Sequence, residues 1–293
     1  MFNVKNNWIT YKNTPVILNG VSVADIGHIT GHRDFSYEKA IDLAVKEFHI
    51  NTLRIPVLPE SKIENDWYKS NEYFESRLDP AVKYATELGL YVIIESHHIC
   101  EFYKRPHFWN NNDRYNCDLK HDLMYFWDTV SKRYGSYENV IFELFNEPTG
   151  PDDWHRFKMK VVNIVINVVR NNSQNLILVS LPSSSDISEL MTDPVFNKNV
   201  AYSTHLYPKF LKSHWKENYK KISEVYPLVV VEWGFSEEVI GGNSDYAEEV
   251  HSFVKELGIG LISGFMDTKW EPKLMKNESD LSNFGNFLKN KNL

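Results

Sequence analysis

NVIFELF (139–145) is an almost wholly apolar run that stops at Asn146-Glu147-Pro148, and runs of the same make recur along the chain. They are NGVSVADI (19–26), NTLRIPV (51–57), LYVIIES (90–96), NLILVSL (175–181), NVAYSTHL (199–206), PLVVVEW (227–233) and GIGLISGFM (258–266). Short β-branched runs without strict polar alternation suit strands buried on both faces, as in a parallel sheet. Between them lie helical patterns at 36–48, 79–89, 121–135, 152–172 and 245–258, with a last one from about Asp280. The second opens on Asp79-Pro80, an N-cap followed by proline at the first helical position, and ends at Gly89. Only ISELM (187–191) offers helix between the fifth and sixth runs. Eight strands alternating with helices predict an α/β fold, a closed (β/α)8 barrel. An open doubly wound sheet would show a glycine-rich phosphate turn after an early strand, which is missing here. NTPVILNG (13–20) reads as part of a short N-terminal hairpin, about 8–19, capping the barrel floor, so residues 1–293 are expected to form a single catalytic barrel.

The chain's 293 residues suit that architecture, which takes about 250. A net formal charge of −7 with no basic block argues against nucleic-acid binding through phosphate neutralisation. No apolar run approaches a membrane span. The first twenty residues lack the apolar core and cleavage site of a secretory signal, so the chain reads as cytoplasmic or as a mature secreted form. Aromatic residues make up 14%, and their rings offer both core volume and flat faces for the C–H side of a sugar. Cys100 and Cys117 are either two free thiols or one disulfide across a polar loop.

Barrel enzymes build their sites at the C-terminal ends of the strands. There the sequence places Arg54 after the second run, His97 and His98 after the third, and Asn146 and Glu147 after the fourth. His205 and Tyr207 follow the sixth, and Glu232 the seventh. Polar, titratable groups at the ends of apolar runs are costly to desolvate unless the site uses them. Two acids on the fourth and seventh strands face one another across the mouth. Glycoside cleavage needs such a pair, one protonating the departing oxygen and one attacking or stabilising the anomeric carbon, about 5 Å apart in retaining enzymes. Sharing one site separates their pKa values. Glu143 is expected to point into the helix layer or barrel floor, and Glu95 to partner a histidine.

FELFNEPTG (142–150), VVVEWGF (229–235), YSTHLYP (202–208), LRIPV (53–57) and ESHH (95–98) resemble glycoside hydrolase family 5, the cellulase and mannanase family, over nearly the whole chain. The resemblance implies Glu147 as acid/base and Glu232 as nucleophile. It implies Asn146 on the sugar 2-hydroxyl, Tyr207 beside Glu232, and His205 orienting the acid/base or the sugar. Arg54 would hold Glu232 ionised through a bidentate guanidinium. His97 would line the subsite of the cleaved sugar, with His98 behind it. Family members mostly end the eighth strand on a platform tryptophan. That position falls here on Gly264 or Phe265, and Trp270 is expected to supply the platform from the following loop. Trp67, Tyr68, Phe108 and Trp109 are candidate subsite aromatics or loop packing, and Trp233 faces either way.

The implied activity is retaining, endo-acting hydrolysis of a β-1,4-linked polysaccharide or oligosaccharide, first β-1,4-glucan and second β-mannan. It implies secretion and needs no cofactor or metal. Two rivals belong to other classes. A metal-dependent hydrolase would draw on His97, His98, His205 and Asp267, yet Asp25, His28 and His32 at the first strand lack the His-x-His spacing it wants. A non-catalytic carbohydrate-binding barrel would have lost one of the two acids, and both are present.

Overall fold

Three short N-terminal strands, β1 (Phe2–Lys5), β2 (Trp8–Tyr11) and β3 (Thr14–Pro15), form an antiparallel sheet in the order β1-β2-β3. They precede a closed ring of eight parallel strands. In chain order the ring contains β4 (Asn19–Val23), β5 (Thr52–Val57), β6 (Tyr91–Ser96), β7 (Val140–Glu143), β8 (Ile177–Ser180), β9 (Val200–Leu206), β10 (Leu228–Trp233) and β11 (Gly260–Met266). Each strand pairs with the next, and β11 pairs back onto β4. This computed structural model describes residues 1–58, 71–97, 119–148, 154–181 and 187–291. Among them no helix is long and apolar enough to cross a membrane.

The helices occupy the outside of the ring. Tyr37–Phe48 buries Ala40, Ile41, Ala44 and Phe48, and its N-terminus is capped by Ser36. Ser244–Leu257 is capped by Asn243 and stops at Gly258 in the left-handed region. Among the described residues, helices absent from the sequence expectation include Ile26–His32 and Trp215–Ser223. The second buries Trp215, Tyr219 and Ile222 at intervals of four and three, a thin aromatic stripe in an otherwise polar segment. ISELM contributes only a 3-10 turn, Ser188–Met191.

Strand alternation sorts side chains into layers inside the ring. The lowest is apolar: Ile93, Ile141, Leu178, Ala201, Val229, Val231 and Ile262 pack with Phe2, Ile9 and Leu18 from the N-terminal segment. That segment starts at Phe2 and has three strands, against the expected hairpin from about 8. Phe2 is fully buried, with its ring centroid 4.9 Å from both Tyr11 and Tyr91. One step up six of the eight strands the alternation turns polar, with Ser22, Arg54, Glu95, Glu143, Ser180 and Ser203 all buried. The apolar floor therefore supports a charged storey, on which the mouth of the barrel is built.

Phe2→Ala removes a fully buried ring from this floor and should cost about 3–5 kcal/mol of stability. A urea-unfolding series compared with wild type would measure it. A loss below 1 kcal/mol would mean that the N-terminal sheet does not close the barrel.

Candidate active site

The site begins with strand geometry. On β7, Ile141 and Glu143 share one parity and point inward. On β6, Ile93, Glu95 and, one residue past the strand, His97 do likewise. The two strands run in direct register, Glu95 opposite Glu143. Strand β10 breaks its own alternation. Its pairing with β9 shifts register between Val230 and Glu232, a bulge at Val231. Val231 lies in the apolar floor, and the bulge lets Glu232 point inward directly after it, while Trp233 packs outward on Phe284.

Arg54 sits at the centre, fully buried. Its Nη1 donates to Glu232 Oε1 at 2.6 Å, its Nε and Nη2 donate to the two oxygens of Glu143 at 2.7 and 3.2 Å, and Nη2 also reaches Asn146 Oδ1 at 3.1 Å. Glu95 Oε2 lies 3.3 Å from Nη2. The two-pronged contact is thus made with Glu143, while Glu232 takes a single prong. This corrects two expectations. The bidentate partner of Arg54 is not Glu232, and Glu143 is neither in the helix layer nor on the floor but directly under the site. Four-residue spacing from Glu147 misleads, because β7 ends at Glu143; parity with Ile141 was the usable signal.

Glu232 is almost enclosed, with 6% of its side chain exposed, whereas Glu147 keeps 31%. Tyr207 Oη donates to Glu232 Oε2 at 2.8 Å. His205 Nδ1 is 2.7 Å from Glu147 Oε1 and 3.4 Å from Glu232 Oε2, so one ring nitrogen bridges the two acids. Glu147, His205 and Glu232 each place a ligand-type atom within 4.8 Å of the others.

Burial alone would raise the pKa of Glu232. The charges of His205, Arg54 and His97 and the Tyr207 hydrogen bond overcome it and hold the carboxyl down at about 2. Burial likewise opposes charge on His205, but Glu232 and Glu147 push its pKa up. Tyr207 is driven well above the usual phenol range, first by burial and then by the two carboxylates, which keeps it a donor. Glu143 is raised by burial, with Arg54 opposing and the neighbouring Glu95 adding to the rise.

His97 Nδ1 is paired with Glu95 Oε2 at 2.8 Å, as expected of Glu95, and its ring stacks on Trp270 at 5.6 Å with the planes 24° apart. Gly264 carries no ring for a clear reason: a side-chain carbon there would meet the Pro272 carbonyl oxygen at 2.2 Å. The loop after β11 folds back over that position and brings Trp270 in from outside. Phe265 is buried with its ring edge-on to Trp270, and Trp233 donates to Ser263 Oγ beneath the surface. His98, Trp67, Tyr68, Phe108, Trp109, Cys100 and Cys117 lie outside the described residues, as do the side chains of His28 and His32.

Among the described residues, the donor set that could hold a metal is Glu147, His205 and Glu232. Arg54 and Tyr207 already occupy both oxygens of Glu232, and the guanidinium charge 2.6 Å away opposes a divalent cation. Asp267, a candidate ligand on the sequence, is clamped by Arg33 instead, at 2.5 and 2.6 Å. The donor chemistry does not favour a metal centre.

Comparison with known proteins gives the family and the fold. The family model for cellulase (glycosyl hydrolase family 5) matches residues 9–263. An endoglucanase of Butyrivibrio fibrisolvens is 27% identical over 214 residues, 71% of this chain and 47% of that protein. An endoglucanase of Thermobifida fusca is 24% identical over 244 residues, 80% of this chain and 47% of that protein. The chain spans about half the length of these relatives. In fold it is similar to a β-glucanase from Saccharophagus degradans solved in complex with cellotetraose, with a TM-score of 0.87, 22% identity and coverage of 99% and 92% of the two chains.

Glu232 has a folded pKa below its ordinary 4.5, so its stabilising contribution is complete above that pH and is lost as pH falls towards 2. About 2 kcal/mol of it should be gone by pH 3. Urea unfolding of wild type at pH 6 and pH 3 should show a drop larger by that amount than in Glu232→Gln; equal drops would contradict the depressed carboxyl. The match over most of its length, on a closed eight-stranded barrel carrying the paired acids, places the chain in glycosyl hydrolase family 5.

Proposed function

We propose that this chain is a retaining endo-β-1,4-glucanase with Glu232 as nucleophile and Glu147 as acid/base. The observation that carries the mechanism is the short span between two unlike carboxylates, with ligand oxygens within 4.8 Å of one another. Retaining glycosidases hold the pair at about 5–5.5 Å, while inverting enzymes need about 6.5–9.5 Å to admit a water. The enclosed, charge-stabilised Glu232 attacks the anomeric carbon from one face and forms a glycosyl ester. The more open Glu147 delivers its proton to the departing glycosidic oxygen. In the second half, Glu147 takes a proton from water, which attacks the same carbon, and Glu232 departs as a carboxylate.

His205 supports both halves, since its Nδ1 lies within reach of either acid. Asn146 turns its carbonyl oxygen to Arg54, which leaves its amide N–H groups for the sugar 2-hydroxyl, a contact that strengthens in the transition state. Trp270 and His97 form one wall of the cleavage subsite. The glucan preference rests on the endoglucanase relatives and on the cellotetraose bound in the neighbouring fold.

Reducing-sugar release from carboxymethyl cellulose, barley β-glucan, galactomannan and xylan tests this reading. Glucan hydrolysis that disappears in Glu232→Ala is the expected result, with Glu147→Ala slowed about 10²–10⁴-fold on polysaccharide and much less on aryl glycosides with good leaving groups. Galactomannan as the preferred substrate would make the chain a mannanase, and full activity in either variant would overturn the mechanism. Tyr207→Phe removes one donor from Glu232. It should move the acid limb of kcat/KM upward by about one pH unit, and an unmoved limb would show that Glu232 does not govern it.

A further inference from the structure

Trp270 stands on a loop, and a loop-borne ring needs something to hold it. At the end of β11 the chain leaves the ring at Asp267 and returns to pair with it. Phe265 N donates to Pro272 O at 2.9 Å, Leu274 N to Phe265 O at 2.8 Å, and Met275 N to Asp267 O at 3.2 Å. The Asp267 side chain is fully buried, and that of Arg33 is 4% exposed. Arg33 clamps both carboxylate oxygens, Nε on Oδ1 and Nη2 on Oδ2, and Oδ2 also accepts the backbone N–H of Trp270 at 2.9 Å. Arg33 directly follows the Ile26–His32 helix, on the connection leaving the first barrel strand, and Asp267 directly follows the last strand. The pair therefore crosses the seam where β11 closes on β4, and it ends on the amide of the residue whose indole stacks on His97.

We propose that Asp267, locked by Arg33, is a positioning residue for glycan binding: it fixes the Trp270 backbone so that the indole stands beside His97 as a sugar-stacking wall. This rests on the reading of the site as glycan-hydrolysing. A buried, doubly bonded carboxylate has little rotational freedom, so its third bond pins the Trp270 amide more firmly than an exposed turn would. The indole is then ordered before the sugar arrives, and binding does not have to fund that ordering.

The test is a double-mutant cycle on hydrolysis of cellotetraose, with KM and kcat for wild type, Asp267→Asn, Trp270→Ala and the double variant. Trp270→Ala should raise KM about tenfold or more, since it removes the flat apolar face on which the sugar stacks. Asp267→Asn should raise KM about three- to tenfold with kcat changed less than threefold. The double variant should be no worse than Trp270→Ala alone. Additive penalties, or an unchanged KM in Asp267→Asn, would overturn the proposal. Arg33→Lys, which keeps a charge but loses the two-pronged grip, should move KM in the same direction by less. Near-ultraviolet circular dichroism gives a readout that needs no turnover. The Trp270 band, taken as wild type minus Trp270→Phe, should collapse in Asp267→Asn while the thermal transition stays cooperative. Persistence of that band would sink the positioning role. Absence of both cellotetraose turnover and binding in wild type would instead sink the functional reading.

Discussion

A single buried guanidinium meets three carboxylates at the core of this barrel, and the site is arranged around that imbalance. Arg54 touches Glu143, Glu95 and Glu232 with no solvent to share the load. Burying an ion costs several kcal/mol even in a relaxed protein, and a partner left unpaired costs about 3–5 kcal/mol. The surplus negative charge draws in His97 and His205, whose pKa values rise despite burial. It also accounts for the rise at Glu143, where burial and the adjacent Glu95 outweigh the guanidinium. Charge is thus placed unequally: the acid facing the mouth of the barrel is held ionised, while burial and Glu95 push the pKa of the acid below upward against the pull of Arg54.

Orientation follows from the same contacts. A guanidinium gripped on two prongs by Glu143 cannot rotate, so its remaining Nη1 is aimed at Glu232 by a fully buried residue. Tyr207 and Arg54 then take one oxygen of Glu232 each. The carboxylate plane is set from beneath and from the side. The bulge at Val231 completes the arrangement, because without the shifted register one of Val231 and Glu232 would face the helices.

The sequence made legible what periodicity and strand ends encode. Eight apolar runs became eight parallel strands, and Glu147, Glu232, Arg54, His97, Asn146, His205, Tyr207 and Trp270 converge at one end of the ring. What stayed hidden depends on relations between strands. Glu143 and Glu95 both sit inside apolar runs. Only the parity that ties Glu143 to Ile141 and Glu95 to His97 marks them as inward, and only the direct register of β6 and β7 makes them neighbours. The Arg33–Asp267 pair was less accessible still, since its members lie 234 positions apart and meet only because the last strand closes on the first. Asp267 reads in the sequence as a possible metal ligand, because an acid after the last strand is ambiguous until its partner is known. Trp215–Ser223 was missed because three apolar positions in a polar segment barely register as a stripe.

The closing seam also explains how an aromatic wall survives without a strand-borne ring. A side chain on a barrel strand inherits the rigidity of the ladder, and one on a loop does not. At Gly264 the loop has taken the space, with the Pro272 carbonyl lying where a side-chain carbon would go. Moving the ring to Trp270 therefore requires that order be supplied some other way. Stacking on His97 and edge contact with Phe265 are weak, at about 1 kcal/mol each. A buried carboxylate pinned at both oxygens is stiffer, and its backbone bond carries that stiffness to the residue bearing the indole. The floor, the charged storey and the wall then share one logic. Each is ordered by buried contacts made beneath the mouth of the barrel.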